Sequence, residues 1–302
     1  MTVHLGAGRF GAVVTAMVTP FDAAAALDLD GAVRLARHLA DHGSDALVLG
    51  GSTGEGSFLD DEEASELWRA VKEAVTIPVI ASTGMADTRH TVERTKRAAG
   101  AGADAVLVVT PYYSRPSQSG LKAHFEHVAA ASDLPVLLYD IPVRSGRKIA
   151  NDTIVELAST VKNVIGVKDA AGDVVSTARL VKEAPRGFEV YCGDDLFTLP
   201  MMSVGAVGVV SVAAHWLGLQ LSEVVAMFAK GDVEGAAQMN AKHLDDIAFQ
   251  SSELYPNPMP AKAVLRAMGL PAGQCRLPIG PAPADLDEQA ARLVASVEES
   301  SR

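Results

Sequence analysis

The chain has 302 residues, 48% of them hydrophobic and 21% charged, with a net charge of −11. That is the composition of a soluble globular protein, long enough for one large domain such as an α/β barrel or for two medium ones. The acidic balance speaks against a nucleic-acid partner, which calls for a basic face, but leaves room for small anions received by a local arginine or lysine. The N-terminal stretch MTVHLGAGRFGAV lacks a basic segment followed by a long apolar core, and no run reaches the roughly 18 apolar residues of a membrane helix. A cytoplasmic protein is expected, with Cys192 and Cys275 as reduced structural thiols and no membrane association. Gly6-Ala7-Gly8-Arg9-Phe10-Gly11 fits G-x-G-x-x-G, but the dinucleotide fingerprint needs a strand before it and a helix after it. Here it precedes the first apolar run, so no nucleotide site is expected.

From there the chain alternates short apolar runs with longer amphipathic stretches. The runs are Ala12–Val18, Asp45–Leu49, Ile77–Ala81, Asp104–Val109, Leu134–Tyr139, Val164–Val167, Phe188–Cys192 and Ala206–Val210. Between them, helical periodicity marks Gly31–His42, Glu62–Val75, Thr88–Ala101, Gly120–Ala131, Asp152–Ser159 and Val174–Glu183. Strands that are apolar throughout point to a parallel sheet buried on both faces. Eight β-then-α units predict an α/β fold, a closed (β/α)8 TIM barrel, with an open doubly wound sheet as the other architecture of this pattern. After about residue 215 the strands stop, and Leu217–Lys230, Val233–Ser252, Pro260–Met268 and Ala284–Glu298 read as helices. The expected division is a barrel over 1–230 and a helical region over 231–302 packed on it. Asp60-Asp61-Glu62-Glu63 reads as the acidic first turn of a helix, and His124 with His127 as an exposed helical face, no metal site being expected.

In such a barrel the active site lies at the C-terminal ends of the strands. Lys168 closes the sixth run directly after Val164-Ile165-Gly166-Val167. An amine desolvated in this way gives up its proton more easily and becomes a nucleophile toward carbonyls. The competing reading is a snorkelling side chain with its stem on the core. The second run is followed by Gly51-Ser52-Thr53-Gly54, either a cradle for a carboxylate or an ordinary glycine turn. Tyr139 ends the fifth run, where a phenol moves protons or simply fills the core. Arg144 follows it, either a bidentate receptor for a second carboxylate or a surface arginine. Tyr112-Tyr113, after the fourth run, are site or interface aromatics.

Five ordered motifs join these residues: GSTGE at 51–55, VTPYYSRPSQSG at 109–120, LLYDIPVRSG at 137–146, GVKDA at 166–170, and GDD with GAVGVVSV at 193–212. In this the chain resembles the class I pyruvate aldolases that include dihydrodipicolinate synthase and N-acetylneuraminate lyase. The likeness runs from about residue 10 to 282, through NPMPAK at 257–262 and the RLP near 276. YYSRPSQSG and Arg144 point to the synthase branch; Ser52 departs from it, since the synthases mostly carry threonine there and the lyases serine. Serine also relays a proton but lacks the γ-methyl that restricts threonine's rotamers.

The resemblance implies a pyruvate imine on Lys168, with no metal or organic cofactor. It implies Tyr139 as acid and base, and Ser52 in a proton relay with Tyr139 and with Tyr113 from a neighbouring subunit. Ser52 and Thr53 together would stand at the pyruvate carboxylate, Arg144 at the carboxylate of the second substrate, and Gly193 and Val210 beside the bound pyruvate. The implied assembly is a homotetramer, a dimer of dimers. The implied reaction condenses pyruvate with L-aspartate 4-semialdehyde; the alternatives are another imine-forming aldolase, lyase or keto-acid dehydratase acting on a sugar acid, or a catalytically silent barrel. Where lysine-inhibited members carry a histidine, an asparagine and a glutamate, this chain has Asp61, Ala86 and His90, so little or no inhibition by lysine is expected.

Overall fold

The computed structural model describes residues 7–250, 252 and 254–300. Eight parallel strands close on themselves in chain order: β1 Val13–Ala16, β2 Ala46–Leu49, β3 Val79–Ser82, β4 Ala105–Val109, β5 Val136–Asp140, β6 Val164–Asp169, β7 Glu189–Cys192 and β8 Gly208–Ser211. Val13 and Val209 pair across the seam between β1 and β8, so the sheet has no edge and the open-sheet alternative falls away. Almost every strand residue is buried, because helices cover the outside and side chains fill the inside. The outer layer packs Leu35, Leu39, Leu67, Trp68, Phe125 and Leu157 against the sheet; the lumen holds Val14, Val48, Ile80, Leu107, Leu137 and Tyr191.

The helices begin where short polar side chains cap them. Asp28, Asp60, Asp87, Ser117 and Asp173 each accept a hydrogen bond from a backbone N–H of the first turn, an arrangement worth about 1 kcal/mol apiece. Asp60 and Glu63 form a reciprocal capping box at helix Asp61–Ala74, in keeping with the acidic first turn read from the sequence.

Three expectations need correction. His124 is buried, not exposed: helix Gln118–Ala129 turns it toward helix Thr88–Gly100, where its Nδ1 lies 3.0 Å from Thr88 Oγ1 and burial pushes it down to about 4. His127 alone faces solvent. The stretch read as one helix over 233–252 is two, Val233–Lys242 and Leu244–Ala248, separated at His243, whose Nδ1 pairs with Asp246; Ser251 lies outside the described residues. The preceding helix starts at Ala214 rather than Leu217, and Leu217 is instead a kink inside it. The start of the glycine motif, Gly6, also lies outside the described residues; Gly8 and Gly11 form a tight antiparallel bridge before β1, with no helix after it.

The kinked helix makes the fold acid-sensitive through His215. The ring is buried, accepts from Val18 N at 3.1 Å through Nε2, and lies 2.7 Å from Val212 O through Nδ1. This pattern fits a neutral ring with its hydrogen on Nδ1, and burial brings it down to about 4 from 6.5. The stabilisation is therefore complete above the unfolded value of 6.5 and is lost as pH falls toward 4, where protonation sets a second N–H against Val18 N. Chemical denaturation at pH 7 and pH 4.5 is expected to show the wild type losing about 2–3 kcal/mol more than His215→Asn. Equal losses would remove His215 from the account.

Candidate active site

The loop after β2 is held by backbone. Gly56 N donates to Gly51 O at 3.0 Å, Glu55 N to Ser52 O at 3.2 Å, and Thr19 Oγ1 to Gly54 O at 2.6 Å. The coil is so tight that a Cβ on Gly56 would lie 1.7 Å from Gly50 O. Ser52 and Thr53 stand on this rigid turn. Ser52 lines a cleft of about 210 Å³ at the barrel mouth, while Thr53 is buried, its Oγ1 accepting from Asn257 Nδ2 at 3.0 Å.

Opposite, β5 delivers Tyr139, whose carbonyl accepts from Thr110 N at 3.0 Å and Thr110 Oγ1 at 3.1 Å. The chain then turns through the short helix Pro142–Ser145, which places an exposed Arg144 at the rim of the same cleft. Tyr139 and Arg144 thus line the cavity with Ser52.

Strand alternation does the rest. On β6, Asp169 faces outward and accepts from Thr177 Oγ1 at 2.6 Å, so its neighbour Lys168 points into the lumen, in register with Tyr139 and Tyr191. Lys168 is 5% exposed, and its Nζ lies 4.3 Å from the centroid of the Tyr139 ring. Among the described residues no carboxylate, carbonyl or hydroxyl pairs with it. The stem is buried and the amine, unpaired, sits over the Tyr139 ring rather than reaching out along the surface.

The ends of β7 and β8 close against it. Gly193 N donates to Asp169 O at 2.8 Å, and a Cβ on Gly193 would meet the Ala170 Cβ at 2.7 Å, so only glycine lets β7 come this near. Val210 is buried in the lumen cluster that includes Tyr139. Asp195 of the GDD motif is a brace: it accepts from the Ser211 hydroxyl and from Val212 N at 2.9 Å, and burial pushes its carboxyl up.

Lys168, Thr53, Gly193 and Val210 are packed beside the cleft without being among its lining residues, and Tyr113 stands furthest apart. It is 95% exposed, with a positive φ of 72°. Its loop is nonetheless tied to the Arg144 loop, through Arg115 Nε to Gly146 O at 2.9 Å and Arg147 Nη2 to Arg115 O at 3.1 Å.

Three features went unread. Glu55 and Lys262 form an enclosed ion pair of 2.5 Å, and Asn257 reaches Thr53 from far along the chain. Arg94, also buried, lines the cleft and pairs with Asp61 at 3.1 Å, as does His90 at 2.9 Å. Burial pushes the Asp61 carboxyl up, but the His90 hydrogen bond and the charges of His90, Arg94 and Arg97 bring it below its ordinary value. Helix periodicity carries no sign of such pairs.

The residues 9–297 match the model of the dihydrodipicolinate synthetase family. The chain belongs to this family. A 4-hydroxy-tetrahydrodipicolinate synthase from Moorella thermoacetica is 46% identical over 273 residues, covering 90% of this chain and 92% of its own. One from Acidothermus cellulolyticus is 47% identical over 295 residues, covering 97% and 93%. Among solved structures, the family enzyme of Cyanidioschyzon merolae with lysine bound superposes with a TM-score of 0.93 at 38% identity, covering 96% of this chain and 99% of its own. The family likeness and the closed barrel agree with the fold expected from the sequence. Among the described residues no helix is long and apolar enough to cross a membrane.

Proposed function

We propose that this chain condenses pyruvate with L-aspartate 4-semialdehyde to give 4-hydroxy-tetrahydrodipicolinate and water, as a Schiff-base lyase. The observation that carries the reading is Lys168: a largely buried lysine whose unpaired amine lies against the Tyr139 ring, in a chain whose relatives over nine-tenths of its length are named for that activity. The sugar-acid alternative has no comparable support.

In this reading Lys168 Nζ attacks C2 of pyruvate. The carbinolamine loses water to form an imine, whose protonated form is the electron sink, so no metal or organic cofactor takes part. A methyl proton leaves and an enamine forms. Its carbon attacks the aldehyde of the second substrate, and the aldehyde oxygen takes up a proton. The product amine then displaces Lys168 by transimination, closing the ring and freeing the enzyme. Tyr139 moves the protons, coupled through Ser52 to Tyr113 of a neighbouring subunit. Thr53 meets the pyruvate carboxylate, with Gly193 and Val210 beside it, and Arg144 orients the carboxylate of the aldehyde. A cytoplasmic homotetramer, built as a dimer of dimers, is the assembly that gives so exposed a tyrosine as Tyr113 a role.

Pyruvate and borohydride provide the test. A mass gain equal to one reduced pyruvyl group, mapped to Lys168, supports the reading; an unmodified protein or a different labelled residue sinks it. Arg144→Ala should leave this labelling intact, since the arginine sits at the rim, while kcat/KM for aspartate semialdehyde falls about a hundredfold with the loss of a charged hydrogen bond. Unchanged kcat/KM would move the carboxylate receptor elsewhere.

L-Lysine is expected not to inhibit. Asp61 already carries His90 and Arg94 on Oδ1, so its carboxylate is taken, and His90 brings an imidazole where the resemblance calls for a glutamate. Rates measured across millimolar lysine should stay level; half-inhibition below that range would contradict the assignment.

A further inference from the structure

The C-terminal region reaches back across the barrel to grip the loop after β2. Asn257 Nδ2 donates to Thr53 Oγ1 at 3.0 Å, across 204 residues of sequence. Lys262 Nζ and Glu55 Oε1 form the 2.5 Å pair, with neither side chain exposed, and Arg276 N donates to Glu55 Oε2 at 2.8 Å. Asn257 is 9% exposed, and its Oδ1 has no hydrogen-bond partner among the described residues.

A hydroxyl owns one hydrogen and two acceptor positions, whereas a carboxylate only accepts. The direction of the Thr53 hydrogen therefore decides what the loop can bind. When Asn257 donates to Thr53 Oγ1, it occupies an acceptor position and leaves the hydrogen for an anion. An amide turned the other way would take that hydrogen and set a lone pair toward the anion. Beyond Asn257, Thr53 Oγ1 has no side-chain partner among the described residues, so this one contact sets its polarity.

We propose that Asn257 is a positioning residue for the substrate: its amide hydrogen fixes Thr53 so that the hydroxyl donates to the pyruvate carboxylate. The proposal rests on the reading that pyruvate binds at Lys168 with its carboxylate at the Ser52–Thr53 turn. Asn257 touches no reacting atom and acts through Thr53. The Glu55–Lys262 pair, two residues along the same turn, holds the loop at the distance this contact needs.

Asn257→Asp is the discriminating variant, because it keeps the shape and exchanges the donor for an acceptor. The pyruvate KM is expected to rise about tenfold to a hundredfold, as for the loss of a hydrogen bond to a charged group, with kcat nearly unchanged. At saturating pyruvate, borohydride should still label Lys168. Thr53→Val should show a similar KM, and adding Asn257→Asp to it should change nothing more, since the two residues act as one unit. Asn257→Ser removes the amide without adding charge; if the aspartate variant does not fold, this one reports the same shift and the same absence of effect in the Thr53→Val background. An unmoved KM in Asn257→Asp overturns the proposal, because it means that an acceptor serves as well. An equal rise with and without Thr53 also overturns it, because the effect then bypasses the hydroxyl. Failure of the wild type to label at Lys168 would instead overturn the reading of the site on which the proposal rests.

Discussion

Lys168→Met is expected to abolish both turnover and borohydride labelling by pyruvate while leaving the barrel folded. The two halves of this outcome follow from the same surroundings. Lys168 Nζ has no ion-pair or hydrogen-bond partner among the described residues, so its removal orphans no buried group. Methionine has nearly the same length and can keep the contact with the Tyr139 ring that Nζ now makes at 4.3 Å. Stability should therefore change by no more than about 1 kcal/mol. The chemistry has no such substitute, because no thioether forms an imine. Loss of a covalent nucleophile costs on the order of 10⁴–10⁶ in kcat. Lys168→Arg should be equally inactive, since guanidinium stays charged and does not add to carbonyls. Circular dichroism and thermal unfolding check the fold, and intact mass after borohydride checks the label. A methionine variant that still takes up pyruvate covalently, or turns over within tenfold of the wild type, would remove Lys168 from the mechanism.

The barrel was legible because parallel strands buried on both faces are apolar at nearly every position. All eight runs became strands, with ends that moved by a few residues. The end that moved most usefully is that of β6: the apolar run stops at Val167, but the strand continues through Lys168 and Asp169. Hydrogen bonding does not end where hydrophobicity does. A polar pair inside a strand is what places a lysine in the lumen and an aspartate outside it. His124 was misread for the converse reason. Its place on the helix suggested solvent, yet the neighbouring helix covers it, and Thr88 partners its Nδ1 while Nε2 is buried without a partner among the described residues.

The site was legible as far as strand ends could carry it. Ser52, Tyr139 and Arg144 do converge on one cleft, and Lys168 abuts Tyr139. What could not be read were contacts between distant segments. Glu55 appeared as the last letter of a loop motif and Lys262 as the last letter of another, and nothing local indicates that they meet. Glu55 has a positive φ of 53°, an uncommon backbone for glutamate, and the pairing with Lys262 and Arg276 N is what holds it there.

That pair sets the largest expected effect on stability. Both side chains are wholly enclosed, and burial pushes the Lys262 amine down even though Glu55 pulls it up. Lys262→Met leaves Glu55 charged and unpaired in a place water does not reach, which should cost about 3–5 kcal/mol. Thermal unfolding should fall by roughly 5–15 °C. Glu55→Gln/Lys262→Met should recover much of this: glutamine can still accept from Arg276 N, and no isolated charge remains. The double variant is thus expected to be more stable than Lys262→Met alone, a departure from additivity of about 1–3 kcal/mol. A competing explanation is packing rather than charge, because the Phe21 ring touches both cations, Lys262 Nζ at 4.2 Å and Arg276 Cζ at 4.1 Å from its centroid. Packing predicts that Lys262→Met loses the same amount whether or not Glu55 is neutral. If the single and double variants unfold together, the loop is held by Phe21 and its two cationic neighbours, and the carboxylate is a passenger. If they separate as expected, the buried charge pair anchors the turn that carries Ser52 and Thr53, and the C-terminal region is part of what shapes the substrate site.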